Sequence, residues 1–570
     1  MKKTLLSAVL LTFGFANAQT FVSTTPENKK AILEEFTGVN CVYCPQGHSI
    51  ANSIKNNDPN NVFLINIHAG GYANPSAGQP DFRTPFGTAI ANQSGLTGYP
   101  AGTVNRNVFP GYNQGAVGTT AMSRNFWSNA ANQIKLQSSY VNVGVQGVIN
   151  TQTNMLDVTV EIYYTGNSPV STNKLNVALL QNNTLGPQNG GNMGNNYNHQ
   201  HRLVHMITGQ WGTDVTSTTN GAFSSQTFSY AIPASYNGIP VEIGDLELVA
   251  FVSETQQKII SGNGAKPTFT GLPANDARIK SIQPIIATCL TSIGPKVSIQ
   301  NMGQTPLTSL SIDYAINGGT NNSFVWTGNL GPLERADVQL PAVAFTPLAT
   351  NTIAISIPND DNVSNNTGTL NFNKAVETNK TNIKIKISLD QYGSETSWNL
   401  KNSAGAIVAQ NPTYTDAGGA GTYPQADVNL TLPNDCYSFT ISDAYGDGMC
   451  CSYGNGNYQV LADGVLLPGM TGGSYGTGET KNFGVNTNLS VSNFDVSAIK
   501  FYPNPTFGEI TVSLPEMAKV TLTDLTGKTI LNTTLEAGDS TLNLGSLSKG
   551  IYLINFAGES FSKTDKVILK

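Results

Sequence analysis

Ala31-Ile-Leu-Glu-Glu-Phe-Thr-Gly-Val-Asn-Cys41-Val-Tyr-Cys44-Pro45-Gln-Gly-His48 is the stretch whose reading decides the N-terminal fold. An apolar run containing Glu35 and Phe36 leads into a turn, then a CxxC, then a helix-compatible segment from Pro45 through Ile54. The pattern predicts a strand that delivers a dithiol to a helix N-terminus. There the unpaired N–H groups and the positive end of the helix dipole favour a thiolate. A free thiol titrates at about 8.5, and such a site lowers it to roughly 3.5–7.5. A lone CxxC says little, whereas one on a strand-to-helix turn points to thiol–disulfide chemistry.

Downstream, Asn61 to His68 reads as a buried strand ending at Gly70-Gly71, and Asp81 to Ser94 as a helix. Gly98-Tyr99-Pro100-Ala-Gly-Thr-Val-Asn-Arg106 then re-enters the sheet. Glu35-Phe36-Thr37-Gly38 before CxxCPxG, with Gly98-Tyr99-Pro100 and Val104-Asn105-Arg106, resembles the outer membrane protein 28-related family of Bacteroidota. That family is a thioredoxin-like branch with an added β domain, and the resemblance covers roughly the first half of the chain. It implies that Cys41 attacks as thiolate, that Cys44 resolves, and that Glu35 is a buried acid relaying the second proton. It also implies a cis Tyr99-Pro100 bond against the dithiol, a form taken by only about 5–6% of X-Pro bonds. The backbone before Pro100 would then offer hydrogen bonds to a substrate peptide. One departure stands out: the aromatic residue usual just before the dithiol is replaced by Val39 and Asn40. The competing reading is a static disulfide that only clamps the fold.

The two ends carry addresses. Met1-Lys2-Lys3, an apolar run from Thr4 to Phe15 and Ala16-Asn17-Ala18 predict a secretory signal peptide over 1–18. Its apolar core is too short for a membrane span, and no later stretch reaches the roughly 20 apolar residues one needs. At the other end, Phe501-Tyr502-Pro503-Asn504-Pro505 with Gly508, Glu509 to Leu514, Val520 to Lys528, Leu547 to Ile554 and Lys566 to Lys570 read as short strands between Gly and Asp turns. This series resembles the type A C-terminal sorting domain of the type IX secretion system. The resemblance implies export through the periplasm, a partnership with the type IX machinery, and attachment to a surface glycolipid or release. Disulfides persist in such a compartment. Charged residues are 12% of the 570, below the usual level of about 25%, and the net charge is −6. No basic patch supports nucleic-acid binding.

Between the ends the hydrophobic pattern turns to period two from Tyr140 onward, which predicts β-sandwich modules. The expected architecture is multidomain: a thioredoxin-like α/β domain at 19–137, a β-sandwich at 138–266, an immunoglobulin-like domain at 285–376, a further β-sandwich at 380–486, and the sorting domain at 499–570. The fourth module repeats a strand ending in Asp-x-Tyr-Gly, at Asp390 to Glu395 and at Asp443 to Asp447. Asp390, Glu395, Asp443 and Asp447 in Gly-containing turns supply the oxygens that Ca²⁺ requires, although the spacing is not that of an EF-hand. Tight Asp-capped turns are the other reading.

Cys289, Cys436, Cys450 and Cys451 allow three pairings that the sequence leaves open. A bridge from Cys436 to Cys450 or Cys451 would clamp the Asp443 loop, and a vicinal bridge is the least expected. His199, His201 and His205 share one face if Tyr197 to His205 is a single strand. Imidazole suits Zn or Cu, but no thiol or carboxylate lies nearby in sequence to complete a ligand set. His48 and His68 read as structural or close to the dithiol. The chain is thus expected to act either as a surface thiol–disulfide oxidoreductase on protein thiols or as a non-enzymatic binding protein for extracellular ligands.

Overall fold

The computed structural model describes residues 21–191, 193–487, 499–558 and 561–570. The expected signal peptide, and most of the stretch between the expected 380–486 module and the sorting domain, lie outside them. The described residues up to 485 form one compact unit and those from 486 onward a second.

The first strand, β1 (Ala31–Thr37), is buried along its whole length. It runs parallel to β2 (Val62–His68) and antiparallel to β3 (Ala101–Val104), which pairs with β4 (Met122–Ser123). A parallel neighbour requires a crossover, and α1 (Cys44–Asn57) supplies it. Between β2 and β3 lies α2 (Gly87–Ser94), and α3 (Trp127–Lys135) follows β4. The helix expected from Asp81 therefore starts six residues late. Asp81 instead accepts bonds from the Arg83 backbone and guanidinium, which holds 81–83 in a turn. Ala31 and Leu33 pack with Ala51 of α1 and with Trp127, Ala130 and Ile134 of α3. Ile32 and Phe36 pack on the opposite face with Ile90 of α2. Glu35 thus faces α1, and Glu34 faces the other side.

The sheet does not stop at residue 137. After β5 (Val141–Asn150) and β6 (Met155–Tyr164), the chain enters β7 (Asn173–Gln181), a short pair β8 (Thr184–Gly186) and β9 (Tyr197–His199), and β10 (Arg202–Met206). Strand β10 joins β2 in parallel at Arg202↔Asn66 and β7 in antiparallel. With β11 (Thr213–Val215) on β7, and after β12 (Phe223–Ala231) and the hairpin β13 (Ser235–Tyr236) and β14 (Ile239–Pro240), strands β15 (Leu246–Ser253) and β16 (Ile259–Ala265) complete nine strands. Its order is β16-β15-β7-β10-β2-β1-β3-β4. Strands β7 and β15 are buried on both faces. Leu175, Val177, Leu179, Leu248 and Ala250 pack on the sheet of β5, β6 and β12. Their alternates Ala178, Leu180, Val249 and Phe251 join the core under α2. The α/β part and the first β-sandwich therefore share one sheet, which two separate domains divided at 137/138 would not.

Two further β modules follow in the same unit. One packs a three-stranded sheet (277–282, 296–301, 335–339) on a four-stranded one (307–316, 322–330, 350–356, 367–373). The other packs two five-stranded sheets between 376 and 485 around Trp398, Phe439 and Tyr458. The second unit is a sandwich of a three-stranded and a four-stranded antiparallel sheet around Val512, Val520 and Ile554. Among the described residues, no helix is long and apolar enough to cross a membrane.

Candidate functional site

Cys44 opens α1 and Pro45 occupies its first turn, where a missing N–H costs nothing. Cys41 and Cys44 are joined as a disulfide, and they are only 3% and 0% exposed. The turn that presents them is built on close backbone approach. A Cβ on Gly38 would lie 2.3 Å from the Tyr72 carbonyl carbon, and Cys41 N donates to Gly38 O. The Tyr99-Pro100 peptide is cis. A Cβ on Gly47, three residues past Cys44, would sit 2.9 Å from both Pro100 Cβ and Glu35 Oε1. Residues three apart on a helix share a face, so Cys44, Pro100 and Glu35 meet around one glycine.

Glu35 Oε2 accepts from Asn66 Nδ2 at 3.3 Å, while Oε1 has no protein partner and lies 3.9 Å from His48 Nε2. Burial pushes the Glu35 carboxyl up to about 8, only partly offset by Asn66. Glu35 is therefore a neutral acid at pH 7. Its folded value lies above that of an exposed Glu, so its contribution to stability is complete below about pH 4.5 and is lost as pH rises through about 8. Burial pushes His48 down to about 4. The neutral ring bridges Thr37 Oγ1 at 2.9 Å and Tyr197 OH at 2.7 Å.

The three downstream histidines do not share a face. His201 takes a left-handed φ of +52°, which ends β9 and resets the alternation before β10, and a further register shift falls between Leu203 and His205. His199 is buried beside His68 and His48, with ring centroids 5.3 and 6.3 Å away. Its Nε2 donates to Pro187 O, and burial holds it down at about 3. His201 pairs with Glu247 Oε2 at 2.8 Å, and His205 stacks on Tyr230. The carboxylate missing from the local sequence thus arrives from β15, for one histidine only. The expected convergence of the three imidazoles is corrected.

A segment that sequence reasoning passed over covers the disulfide. Gln188 Nε2 donates to Gly38 O and Cys41 O at 3.1 and 3.0 Å, and Asn189 N donates to Val39 O. A Cβ on Gly190 would fall 2.0 Å from Val42 O. This strap docks where Val39 and Asn40 replace the aromatic residue expected before the dithiol. On its far side, a Cβ on Gly446 would lie 3.1 Å from Asn189 Oδ1. The strap therefore sits between the dithiol and the Asp443 loop.

The other face of β1 holds a buried ion pair. Arg106 Nη2 and Nε reach Glu34 Oε1 and Oε2 at 2.6 and 2.8 Å, and both side chains are 1% exposed. Asn105 Oδ1 accepts from Ile32 N, tying Val104-Asn105-Arg106 to the strand. The sequence signal was there: two glutamates in an apolar strand call for two different partners.

In the 376–485 module, Glu395, Asp443 and Asp447 bring carboxylate oxygens within 4.8 Å of one another. Burial, then the charges of Asp443, Asp447 and Asp390, pushes Glu395 up to about 7. Burial, then Asp447, pushes Asp443 up to about 6. Asp390 lies outside the set of three, and its carboxylate caps the Tyr392 N–H. The bridges are Cys289–Cys436 and the vicinal Cys450–Cys451. Cys436 could not clamp the Asp443 loop because it lies near the opposite end of the strand 435–443. Seven residues of extended chain separate it from Asp443 by roughly 23 Å, while bridged Cα atoms lie within about 7 Å.

Residues 88–267 match the family model of outer membrane protein Omp28, and residues 500–570 match that of the secretion system C-terminal sorting domain. HBP35 of Porphyromonas gingivalis is 16% identical over 61% of this chain and 98% of its own, at a TM-score of 0.34. A domain of the outer membrane lipoprotein Omp28 from the same organism is 18% identical over 23% of this chain and 92% of its own, at 0.17. At these scores neither likeness carries an argument. No curated protein matches the chain. The sorting domain and the Omp28 segment mark the chain for export to the cell surface. The chain is thus similar to the outer membrane protein Omp28 family over 88–267 and to the secretion system C-terminal sorting domain over 500–570.

Proposed function

We propose that this exported surface protein is a thiol–disulfide exchange protein of thioredoxin-like build, with Cys41–Cys44 as its redox pair. The observation that carries the reading is the meeting of Cys44, Pro100 and a neutral buried Glu35 around Gly47. A structural disulfide has no need of such a neighbour. In the oxidised form, a substrate thiolate attacks Cys41 Sγ, the Cys41–Cys44 bond breaks, and Cys44 leaves as thiolate. Glu35 gives it a proton, as a general acid with a value near the operating pH can. A second substrate thiolate then attacks its own sulfur in the mixed disulfide and releases Cys41. Two electrons pass from the substrate dithiol to the protein pair. Because Cys41 is covered by the strap, exchange requires Gln188 to lift.

Insulin reduction by dithiothreitol should be accelerated by the full chain and fall to the uncatalysed rate in Cys41→Ser. The full chain is needed because β1 and β2 share their sheet with β10 and β7. Gln188→Ala removes two hydrogen bonds worth about 1 kcal/mol each, so the variant should exchange roughly tenfold faster or more. If wild type and Gln188→Ala are both inactive and the pair is reduced only on unfolding, the competing reading stands. That reading is a surface binding protein clamped by a structural disulfide, and it is favoured by the burial of Cys41 and by the number of β modules.

We also propose that Glu395, Asp443 and Asp447, with Asp390 beside them, bind Ca²⁺. Burial first, and then mutual repulsion, raises Glu395 and Asp443, and the repulsion is what a divalent cation would relieve. Calcium at a hundred times its Kd should stabilise this module by about 2.7 kcal/mol. Asp443→Ala should abolish the gain and Asp435→Ala should keep it. Equal melting temperatures in calcium and in chelator would rule the site out.

A further inference from the structure

Behind Glu35, away from the disulfide, lies a cavity of about 30 Å³ lined by Glu35, His48, Asn66, Tyr197, Gln200 and His201. One ordered water needs roughly 10–15 Å³ and two to four polar partners. Glu35 Oε1 and Asn66 Oδ1 both line this cavity, and neither has a protein partner. They are 3% and 6% exposed. Gln200 and His201 line this cavity and also the open cleft of about 670 Å³ that contains Glu247 and Lys55. Gln200 and His201 thus stand between the cavity of the buried carboxyl and the open cleft.

We propose that Glu35 exchanges its proton with solvent through this cavity, with His48 and Tyr197 positioning its inner end and His201–Glu247 its outlet. The proposal rests on the redox reading only for its purpose. When Glu35 protonates the departing Cys44 it is left as a buried carboxylate, and because Cys44 keeps that proton until the pair is reoxidised, Glu35 regains one in the interval only from solvent. With the strap lifted, the bound substrate closes the dithiol side at that moment, so the supply comes from behind. The carriers are one water in the cavity and the Tyr197 hydroxyl, which bonds His48 Nδ1 at 2.7 Å. The groups facing Glu35 are His48 from α1, Asn66 from β2 and Tyr197 from β9; His199 lies beside the His48 ring, and His201 pairs with Glu247. Glu34 faces the other side of β1 and is neutralised by Arg106. Burial and the Glu35 charge push Tyr197 up to about 12, so its hydroxyl stays protonated and passes a proton on without ionising.

Infrared difference spectroscopy of the full chain, transferred from H₂O to D₂O at pH 6, reads the exchange of the buried carboxyl directly. Glu35→Gln assigns the band. Asn52 of α1 also lines the cavity, and Asn52→Leu places apolar atoms in its wall while keeping Glu35, His48 and Tyr197. It should slow carboxyl exchange at least tenfold, and Tyr197→Phe should slow it severalfold with the ring retained. Exchange as fast in Asn52→Leu and Tyr197→Phe as in wild type, or no protonated Glu35 band at pH 6, would overturn the proposal. Variant-sensitive exchange in a protein that reduces no disulfide would leave the route standing and remove the redox reading.

Discussion

Replacing Arg106 with alanine should destabilise the N-terminal sheet by about 3–5 kcal/mol, because it leaves the Glu34 carboxylate buried without its counter-ion. The pair has the geometry in which the loss is largest: two parallel N–H···O bonds, with both side chains 1% exposed. The guanidinium also lies over the rings of Phe251 and Trp211, at 5.3 and 5.6 Å, so its removal opens a hole between β1, β3 and β15. Arg106 holds a left-handed φ of +45°, next to Asn105 at +51°, and Asn105 bonds Ile32 N through its side chain. The side chain thus fixes how β3 ends as well as the charge on β1. Hydrogen exchange of the 31–37 and 101–104 amides, read by mass spectrometry, measures the loss where it occurs. A double variant Glu34→Leu/Arg106→Met should recover most of it, since apolar replacement of a buried pair is often neutral or better. A single-variant loss below 1 kcal/mol would mean that water reaches Glu34. Lysine at 106 should rescue only in part, as it lacks the planar fork that meets both carboxylate oxygens.

Local patterns were the legible part of this chain. The strand, CxxC and helix follow one another within thirty residues, and period-two alternation marks β5 and β6 without outside help. The described features that the sequence hid depend on parity or on distant partners. One left-handed residue, His201, undoes a face assignment that simple alternation predicts. The join that makes one sheet of two expected domains rests on a single parallel register at Arg202↔Asn66, and no local pattern announces it. The near-continuous apolar runs of β7 and β15 were its indirect trace, since a strand buried on both faces loses its alternation. The strap was unreadable because Gln188 and Asn189 sit in a polar, Gly-rich loop whose meaning comes from what it touches. Glu35 was legible from its place before the CxxC. The cavity behind it was not, because its lining comes from four separate segments.

Removing the Cys289–Cys436 bridge should cost up to about 5 kcal/mol, the loop-closure entropy for a ring of roughly 150 residues. The two cysteines are 147 positions apart, just after the first strand of one β module and at the second residue of a central strand in the next. The segment before Cys289 is held on both sides. Thr288 N donates to Asn373 O and Ala375 N donates to Thr288 O, while Cys289 lies against Gly484, where a Cβ would come within 3.1 Å of its own. The bridge therefore ties the 277–373 module to the 376–485 module through a stretch with few other bonds to the second. For an unfolding unit of about 200 residues, each kcal/mol moves the midpoint by roughly 2–4 °C. Cys289→Ser/Cys436→Ser should then melt roughly 10–20 °C lower by calorimetry, with the two modules separating into distinct transitions. The double variant avoids leaving one reactive thiol. Cys450→Ser/Cys451→Ser is the control, since a ring between adjacent residues removes almost no chain entropy and should leave the midpoint nearly unchanged. Equal melting of both double variants would mean that the 289–436 loop is already constrained in the unfolded chain, and that the two modules cohere through packing alone.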